Sequence, residues 1–307
     1  MSMIAAFRQS KWFRLIWLVP AIVVAGVIAV LIAQWIRSTT WGGDFIETYP
    51  GEYHLPDWAP VGFPAWLGWQ HFLNSFFILL IIRSGLEVRN TPRPSAYWTR
   101  NNNGLIKTKG SPKRISLSLW LHLSLDTLWI INGIVFIVLI FVTGQWIRLV
   151  PSSWDVFPNA LSAGIQYVSL NWPTENGWVN FNSLQQLTYF LTVFIAAPLA
   201  FITGFRMSGA WSARWTRASK IYPVELARKI HFPTMIYFVV FVVIHVTLVL
   251  ATNALRNLNH MYGGQDAVNW WGFGIFMGSL VVMAAAWIAA RPLVLRAIAS
   301  TFGTVGR

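Results

Sequence analysis

Long apolar runs alternate with polar loops six times along this chain. A helix of about 20 apolar residues crosses the hydrocarbon core of a bilayer. The pattern therefore predicts an all-α membrane protein with six transmembrane helices, called spans 1 to 6 in chain order. They are predicted at residues 12–36, 65–82, 117–141, 184–205, 230–251 and 271–290.

The basic residues are distributed unevenly between the loops. Three precede span 1, eight lie between spans 2 and 3, six between spans 4 and 5, and three follow span 6, whereas Arg37, Arg148 and Arg256 lie on the other side. Cytoplasmic loops carry the excess of Lys and Arg. We therefore expect a multi-pass protein of the bacterial inner membrane with both termini in the cytoplasm, and we expect span 1 to be retained because 33–37 is a poor cleavage site.

Composition narrows the chemistry. The chain is 55% hydrophobic and 11% charged, and it contains no cysteine. This excludes disulfides, thiolate-bound iron–sulfur clusters and thioether-linked haem c. The net charge of +13 follows mainly from topology and suits anionic membrane lipid rather than nucleic acid. No nucleotide-binding motif is present, and the two longer outer loops, 37–64 and 143–183, suit interfacial caps or a docking surface.

Four of the six histidines fall within or at the ends of predicted spans, and polar side chains there are costly and usually functional. His231 and His245 share span 5, fourteen residues apart. That spacing is nearly four helical turns, so both face the same way at depths about 21 Å apart. Two ligands of one metal ion would instead lie three or four residues apart. The spacing therefore predicts two sites at two depths, although any one histidine alone could be an ordinary buried side chain.

The predicted topology assigns partners to these two histidines. His71 lies near the outer end of span 2, at the level of His245, and His122 lies near the inner end of span 3, at the level of His231. Two imidazoles at one depth are the axial ligands of a six-coordinate haem b, which leaves no open site and favours electron transfer. We expect an outer haem at His71 and His245 and an inner haem at His122 and His231. A zinc or di-iron site would require clustered ligands with carboxylates.

Further candidates surround the predicted inner haem. Gly85 and Gly204 lie at its level, where a small residue lets a flat ring approach the backbone, although both could be ordinary packing or capping glycines. Asp126, one turn beyond His122, could orient an imidazole or carry a proton to a quinone, or simply hydrogen-bond within the bundle. Arg83 and Arg206 lie where haem propionates would emerge, with interfacial anchoring as the alternative.

The histidine pattern resembles the di-haem cytochrome b subunits of bacterial formate dehydrogenases, nickel–iron hydrogenases and thiosulfate-reductase-type enzymes. The resemblance covers residues 65–251 and rests on one ligand in each of two spans and two in a later span. The segments that carry it, besides His71 and His122, are Arg83-Ser84-Gly85-Leu86, Thr203-Gly204-Phe205-Arg206-Met207-Ser208-Gly209, Lys229-Ile230-His231-Phe232-Pro233 and Ile244-His245-Val246.

The resemblance implies a single integral-membrane cytochrome b domain, 1–307, with a four-helix haem core of spans 2–5 and two flanking helices. It implies an anchor and quinone-reactive subunit that passes electrons between menaquinone or ubiquinone and an extracytoplasmic redox partner of molybdopterin or hydrogenase type. The alternatives are a transporter, which predicts broken helices and more intramembrane charge, and a membrane anchor without cofactor. Whether the chain is itself an enzyme is left open by its sequence.

Overall fold

The computed structural model describes residues 11–103, 107, 110–172 and 176–306. Of the basic residues counted above, Arg8, Lys109 and Arg307 lie outside the described residues.

Six helices in this part of the chain are long and apolar enough to cross a membrane. The predicted all-α membrane fold with six spans is therefore confirmed. The spans are Lys11–Ser38, Ala65–Asn90, Leu117–Val142, Ser183–Met207, Val224–Leu258 and Trp271–Ala289, and span 4 contains a π-helical turn at Leu191–Ala196.

Spans 2 and 5 are longer than the apolar runs that predicted them. Span 2 continues to Asn90 because its polar last turns remain helical, with Arg83 and Glu87 paired at 3.1 Å one turn apart. Gly85 therefore lies inside a helix and not at its end. Span 5 is interrupted at Asn253, whose φ of −155° and ψ of 76° are not helical, and a π-helical turn at Asn259–Gly263 follows.

Shorter elements occupy the connections. The additional helices are Thr40–Thr48, Val156–Val168, Thr216–Ile221 and Pro292–Ser300, with a 3₁₀ turn at Gln145–Arg148. Three short strands, which the hydrophobic pattern does not predict, form an antiparallel sheet in the order β2-β1-β3. They are β1 at Tyr97–Arg100, β2 at Ile115–Ser116 and β3 at Gly303–Gly306.

This sheet joins the loop between spans 2 and 3 to the carboxyl end of the chain. The indole of Trp98 on β1 donates to the carbonyl of Ala299 at 3.0 Å. Gly303 on β3 lies so close to β1 that a Cβ there would stand 2.3 Å from the carbonyl oxygen of Thr99. The chain after span 6 thus returns to the same end of the bundle as the loop after span 2, as an even number of intervening spans requires.

The chain divides into two compact units. One contains the residues up to Ala59 together with Ile147–Tyr189, and the other contains Pro60–Trp146 with the residues from Phe190 on. In the first unit the guanidinium of Arg148 is buried, and burial lowers its pKa to about 10. The second unit contains all four membrane histidines. The interpretation of the whole chain as one cytochrome domain stays a prediction.

Candidate functional site

The four membrane histidines lie in two neighbouring pairs. The ring centres of His71 on span 2 and His245 on span 5 are 6.2 Å apart. Those of His122 on span 3 and His231 on span 5 are 6.5 Å apart. These are the pairs expected from the depth argument.

The His122–His231 pair is held by two hydroxyl groups. Ser84 Oγ lies 3.0 Å from Nδ1 of His122, and Thr203 Oγ1 lies 2.7 Å from Nδ1 of His231. Each hydroxyl also donates to a carbonyl of its own helix, at Ile81 for Ser84 and at Leu199 for Thr203. A hydroxyl has one proton, so each accepts from Nδ1–H of its histidine. The Nε2 atom of both imidazoles is then unprotonated and can coordinate a metal.

A glycine follows each of these hydroxyl residues and touches the same imidazole. A Cβ on Gly85 would stand 3.1 Å from Cε1 of His122, and one on Gly204 would stand 3.5 Å from Cε1 of His231. The structure therefore places both predicted glycines directly against ligand candidates. Gly85 leaves no spare room for a methyl group, whereas Gly204 does.

Aromatic rings surround the His71–His245 pair. Phe241 stacks on His245 with ring centres 5.5 Å apart, and Tyr262 meets His71 edge-on at 5.6 Å. The Nδ1 atom of His71 is buried, and it has no hydrogen-bond partner within the described part of the chain. The two pairs thus differ in how their imidazoles are held.

The chain reversal after span 5 explains how Tyr262 reaches His71. The break at Asn253 and the π-helical turn direct the chain back over span 2. Gly68 on span 2 permits this approach, because a Cβ there would stand 2.6 Å from the carbonyl oxygen of Met261. Sequence reasoning missed Tyr262, Ser84 and Thr203. Ser84 and Thr203 do lie in segments that carry the family resemblance, and each directly precedes a glycine, in spans 2 and 4.

Asp126 lies beside the His122–His231 pair. One of its carboxylate oxygens is 3.5 Å from Nε2 of His122. This is the nitrogen that the hydroxyl contact leaves unprotonated. Whether Asp126 carries a proton stays a prediction.

The two candidate arginines both have protein partners. Arg83 donates to Glu87 and to the carbonyls of Ala290 and Trp287, so it links the ends of spans 2 and 6. Arg206 donates through Nε to the carbonyl of Tyr222 at 2.6 Å. Their role toward propionates stays a prediction.

The two remaining histidines differ in their surroundings. His54 is exposed, as expected for a loop residue. His260, which the sequence also places in a loop outside the predicted spans, is by contrast only 4% exposed. It hydrogen-bonds to Asp266 at 2.8 Å and stacks on Phe63. The π-helical turn explains this burial, because it folds the side chain under the loop.

The described residues include no group of three or more His, Asp or Glu side chains that could hold a metal ion. A porphyrin supplies four nitrogen ligands itself, so two imidazoles complete an octahedral iron. Paired histidines without a carboxylate cluster are thus the ligand set that a haem requires.

A family model described as prokaryotic cytochrome b561 matches residues 62–264, which is more than half of the chain. The chain belongs to the prokaryotic cytochrome b561 family. The family resemblance inferred from the sequence is confirmed, and membership implies a membrane subunit that binds haem b and transfers electrons. The matched cytochrome b561 segment contains spans 2–5 and all four paired histidines. No curated protein and no solved structure was found to match the chain.

Proposed function

We propose that this cytochrome b561 carries two haem b groups and conducts electrons between an extracytoplasmic redox enzyme and the quinone pool. His71 and His245 would hold one haem, and His122 and His231 the other. The proposal rests on two imidazole pairs, each with a spacing suited to one iron. The members of the two pairs on span 5, His231 and His245, are fourteen residues apart.

The spacing of each pair would allow both of its imidazoles to hold one metal ion. A metal–imidazole bond is about 2.0–2.1 Å long. With about 1.2 Å from each nitrogen to its ring centre, two ring centres on opposite sides of one metal stand about 6.4 Å apart. The distances of 6.2 and 6.5 Å lie on either side of this value. In the His122–His231 pair both Nε2 atoms are unprotonated, as imidazole nitrogens must be to bind a metal.

The chain's own residues would provide the conditions for electron transfer. Haem b, when bound, would supply a one-electron carrier, and the two imidazoles of each pair would hold its iron. Phe241 and Tyr262, which contact the imidazoles of His245 and His71, would cover part of the His71–His245 pair. Asp126, beside His122, would hold or release the proton that accompanies quinone reduction. Arg206 would bind a haem propionate through the nitrogens that do not contact Tyr222.

The orientation follows from the charges. With the Lys- and Arg-rich loops in the cytoplasm, the His122–His231 pair lies near the cytoplasmic face and the His71–His245 pair near the outer face. The partner enzyme, of molybdopterin or hydrogenase type, would dock on the outer side. The family description, which matches cytochrome b subunits of nickel–iron hydrogenases and related enzymes, supports this class of partner.

Reduction by quinol tests the proposal. When a menaquinol or ubiquinol analogue is added to purified protein in liposomes, the absorbance bands of ferrous haem b should appear. Asp126→Asn should slow this reduction and leave the dithionite-reduced spectrum unchanged. The control is Thr127→Val, because the Thr127 hydroxyl lies one residue away and bonds only to its own helix. This control should be reduced at the wild-type rate. If dithionite reduces the haem but neither quinol does, the link to quinone is refuted. If the purified protein shows no haem absorbance, a transporter or a cofactor-less anchor is favoured.

A further inference from the structure

We propose that Ser84 and Thr203 are positioning residues that fix the tautomer of both imidazoles in the His122–His231 pair and lower the reduction potential of the haem held there. This inference rests on the proposed function, since it concerns a haem at that pair. It assigns a role to two hydroxyl residues that contact neither iron nor substrate.

The same arrangement occurs twice, on two different helices. Ser84 and Thr203 are both fully buried, each directly precedes a glycine, and each meets Nδ1 of a histidine on a neighbouring span. The glycine brings the imidazole against the helix, and the hydroxyl then receives its proton. Spans 2 and 4 therefore support the ligands of spans 3 and 5 in the same way.

The proton of each hydroxyl is already donated to a backbone carbonyl. Ser84 donates to the carbonyl of Ile81, and Thr203 donates to the carbonyls of Leu199 and Ala200. A hydroxyl has a single proton, so the ring nitrogen that faces it must carry the proton of their shared hydrogen bond.

The consequence is electronic as well as geometric. An imidazole that donates its second N–H to an acceptor is a more basic ligand. A more basic axial ligand stabilises ferric over ferrous iron, and hydrogen bonding around the ligands is one means by which a protein sets a haem potential. Removing either acceptor should therefore raise the midpoint potential of this haem. The His71–His245 pair should not respond, because neither hydroxyl contacts it.

The test is a potentiometric titration of the full-length protein, with haem content measured in parallel. The variants are Ser84→Ala, Thr203→Val and the double change. The matched controls are Ser124→Ala and Thr234→Val, whose hydroxyls donate to the carbonyls of Trp120 and Ile230 on the histidines' own helices. Thr203→Ser is the conservative variant that keeps the hydroxyl.

One of the two haem components should titrate at a higher potential in each single variant and higher still in the double. We expect a two- to tenfold change in the ferric-to-ferrous ratio at fixed potential, and tenfold corresponds to 59 mV for a one-electron couple. The other component, the controls and Thr203→Ser should stay at the wild-type values. If Thr203→Val instead loses one haem, retention of that haem by Thr203→Ser still supports the inference.

The inference would be overturned by unshifted potentials in all three variants with both haems retained, by equal shifts of both haems, or by shifts of the same size in the controls. Loss of haem from Thr203→Val and Thr203→Ser alike would also overturn it. Wild-type protein that lacks a haem at this pair would refute the proposed function itself. Wild-type protein with two haems and unresponsive variants would refute this inference alone.

Discussion

Gly85 and Gly204 make a matched pair in which the same substitution should have different effects. A Cβ on Gly85 would stand 3.1 Å from Cε1 and 3.6 Å from Nδ1 of His122, whereas one on Gly204 would stand 3.5 Å from His231. Optimal contacts between carbon atoms are about 3.5–4.0 Å. Gly85→Ala must therefore move the His122 imidazole by several tenths of an ångström, and Gly204→Ala need move nothing.

At position 85 a gain in helix propensity is opposed by the strain on a hydrogen bond, whereas at position 204 only the gain applies. Replacing glycine by alanine inside a helix stabilises it by about 0.5–1 kcal/mol, and Gly204→Ala should show this gain undiminished. At position 85, displacing the imidazole stretches its 3.0 Å hydrogen bond to Ser84, and a lost hydrogen bond of this kind costs about 0.5–1.5 kcal/mol. The two terms nearly cancel, so Gly85→Ala should retain its fold but bind the haem at this pair poorly.

The assay combines haem content per chain with the thermal midpoint in detergent. Gly204→Ala should keep two haems and the same or a higher midpoint, whereas Gly85→Ala should approach one haem per chain with a midpoint near the wild type. Gly133→Ala, on span 3 with nothing within 4 Å of its Cβ position, is the control for helix propensity alone. Equal haem content in Gly85→Ala and Gly204→Ala would refute the reasoning.

Three further changes test separate parts of the account. Replacing either histidine of one pair by alanine should remove one haem and spare the other, which lies about four helical turns away; redox spectra in which members of different pairs lose the same haem would contradict the pairing. Gly303→Ala should expose the carboxyl end to limited proteolysis because its Cβ would stand 2.3 Å from the Thr99 carbonyl oxygen, whereas Gly306→Ala, with open space at that position, should not. Hydrogen bonds from Arg256 hold the pKa of Asp266 well below its usual range, so the pair should stabilise the loop after span 5 above pH of about 4 and lose this effect as the pH falls toward the folded pKa. The protection factor for amide exchange in this loop, which removes the intrinsic pH dependence of exchange, should fall on acidification in the wild type and be low at all pH values in Asp266→Asn.

The membrane spans could be predicted because twenty apolar residues in succession have few alternatives to crossing a bilayer. The neighbours of each histidine could also be predicted, since the fourteen-residue spacing of His231 and His245 defines two depths and the charged loops define the direction of each span. The structure brings the same histidines together. Their role as haem ligands stays a prediction, because it depends on a group that the polypeptide does not itself contain.

Other features depend on long-range packing that leaves no periodic signal. The strand Gly303–Gly306 is four residues long and pairs with Tyr97–Arg100 some 200 positions away. The break at Asn253, which brings Tyr262 onto His71 and buries His260, has no proline or glycine to indicate it. The contacts of Ser84 and Thr203 with Nδ1 depend on how spans 2 and 4 are rotated about their own axes. The sequence does not define this rotation, because both helices are apolar on nearly all sides.

The number of haem b groups per chain tests the central claim most directly. A pyridine haemochrome assay on the purified protein, with protein concentration from amino-acid analysis, measures both the type of haem and its stoichiometry. We expect two haem b per chain and no other haem type. One haem per chain, or none, would contradict it.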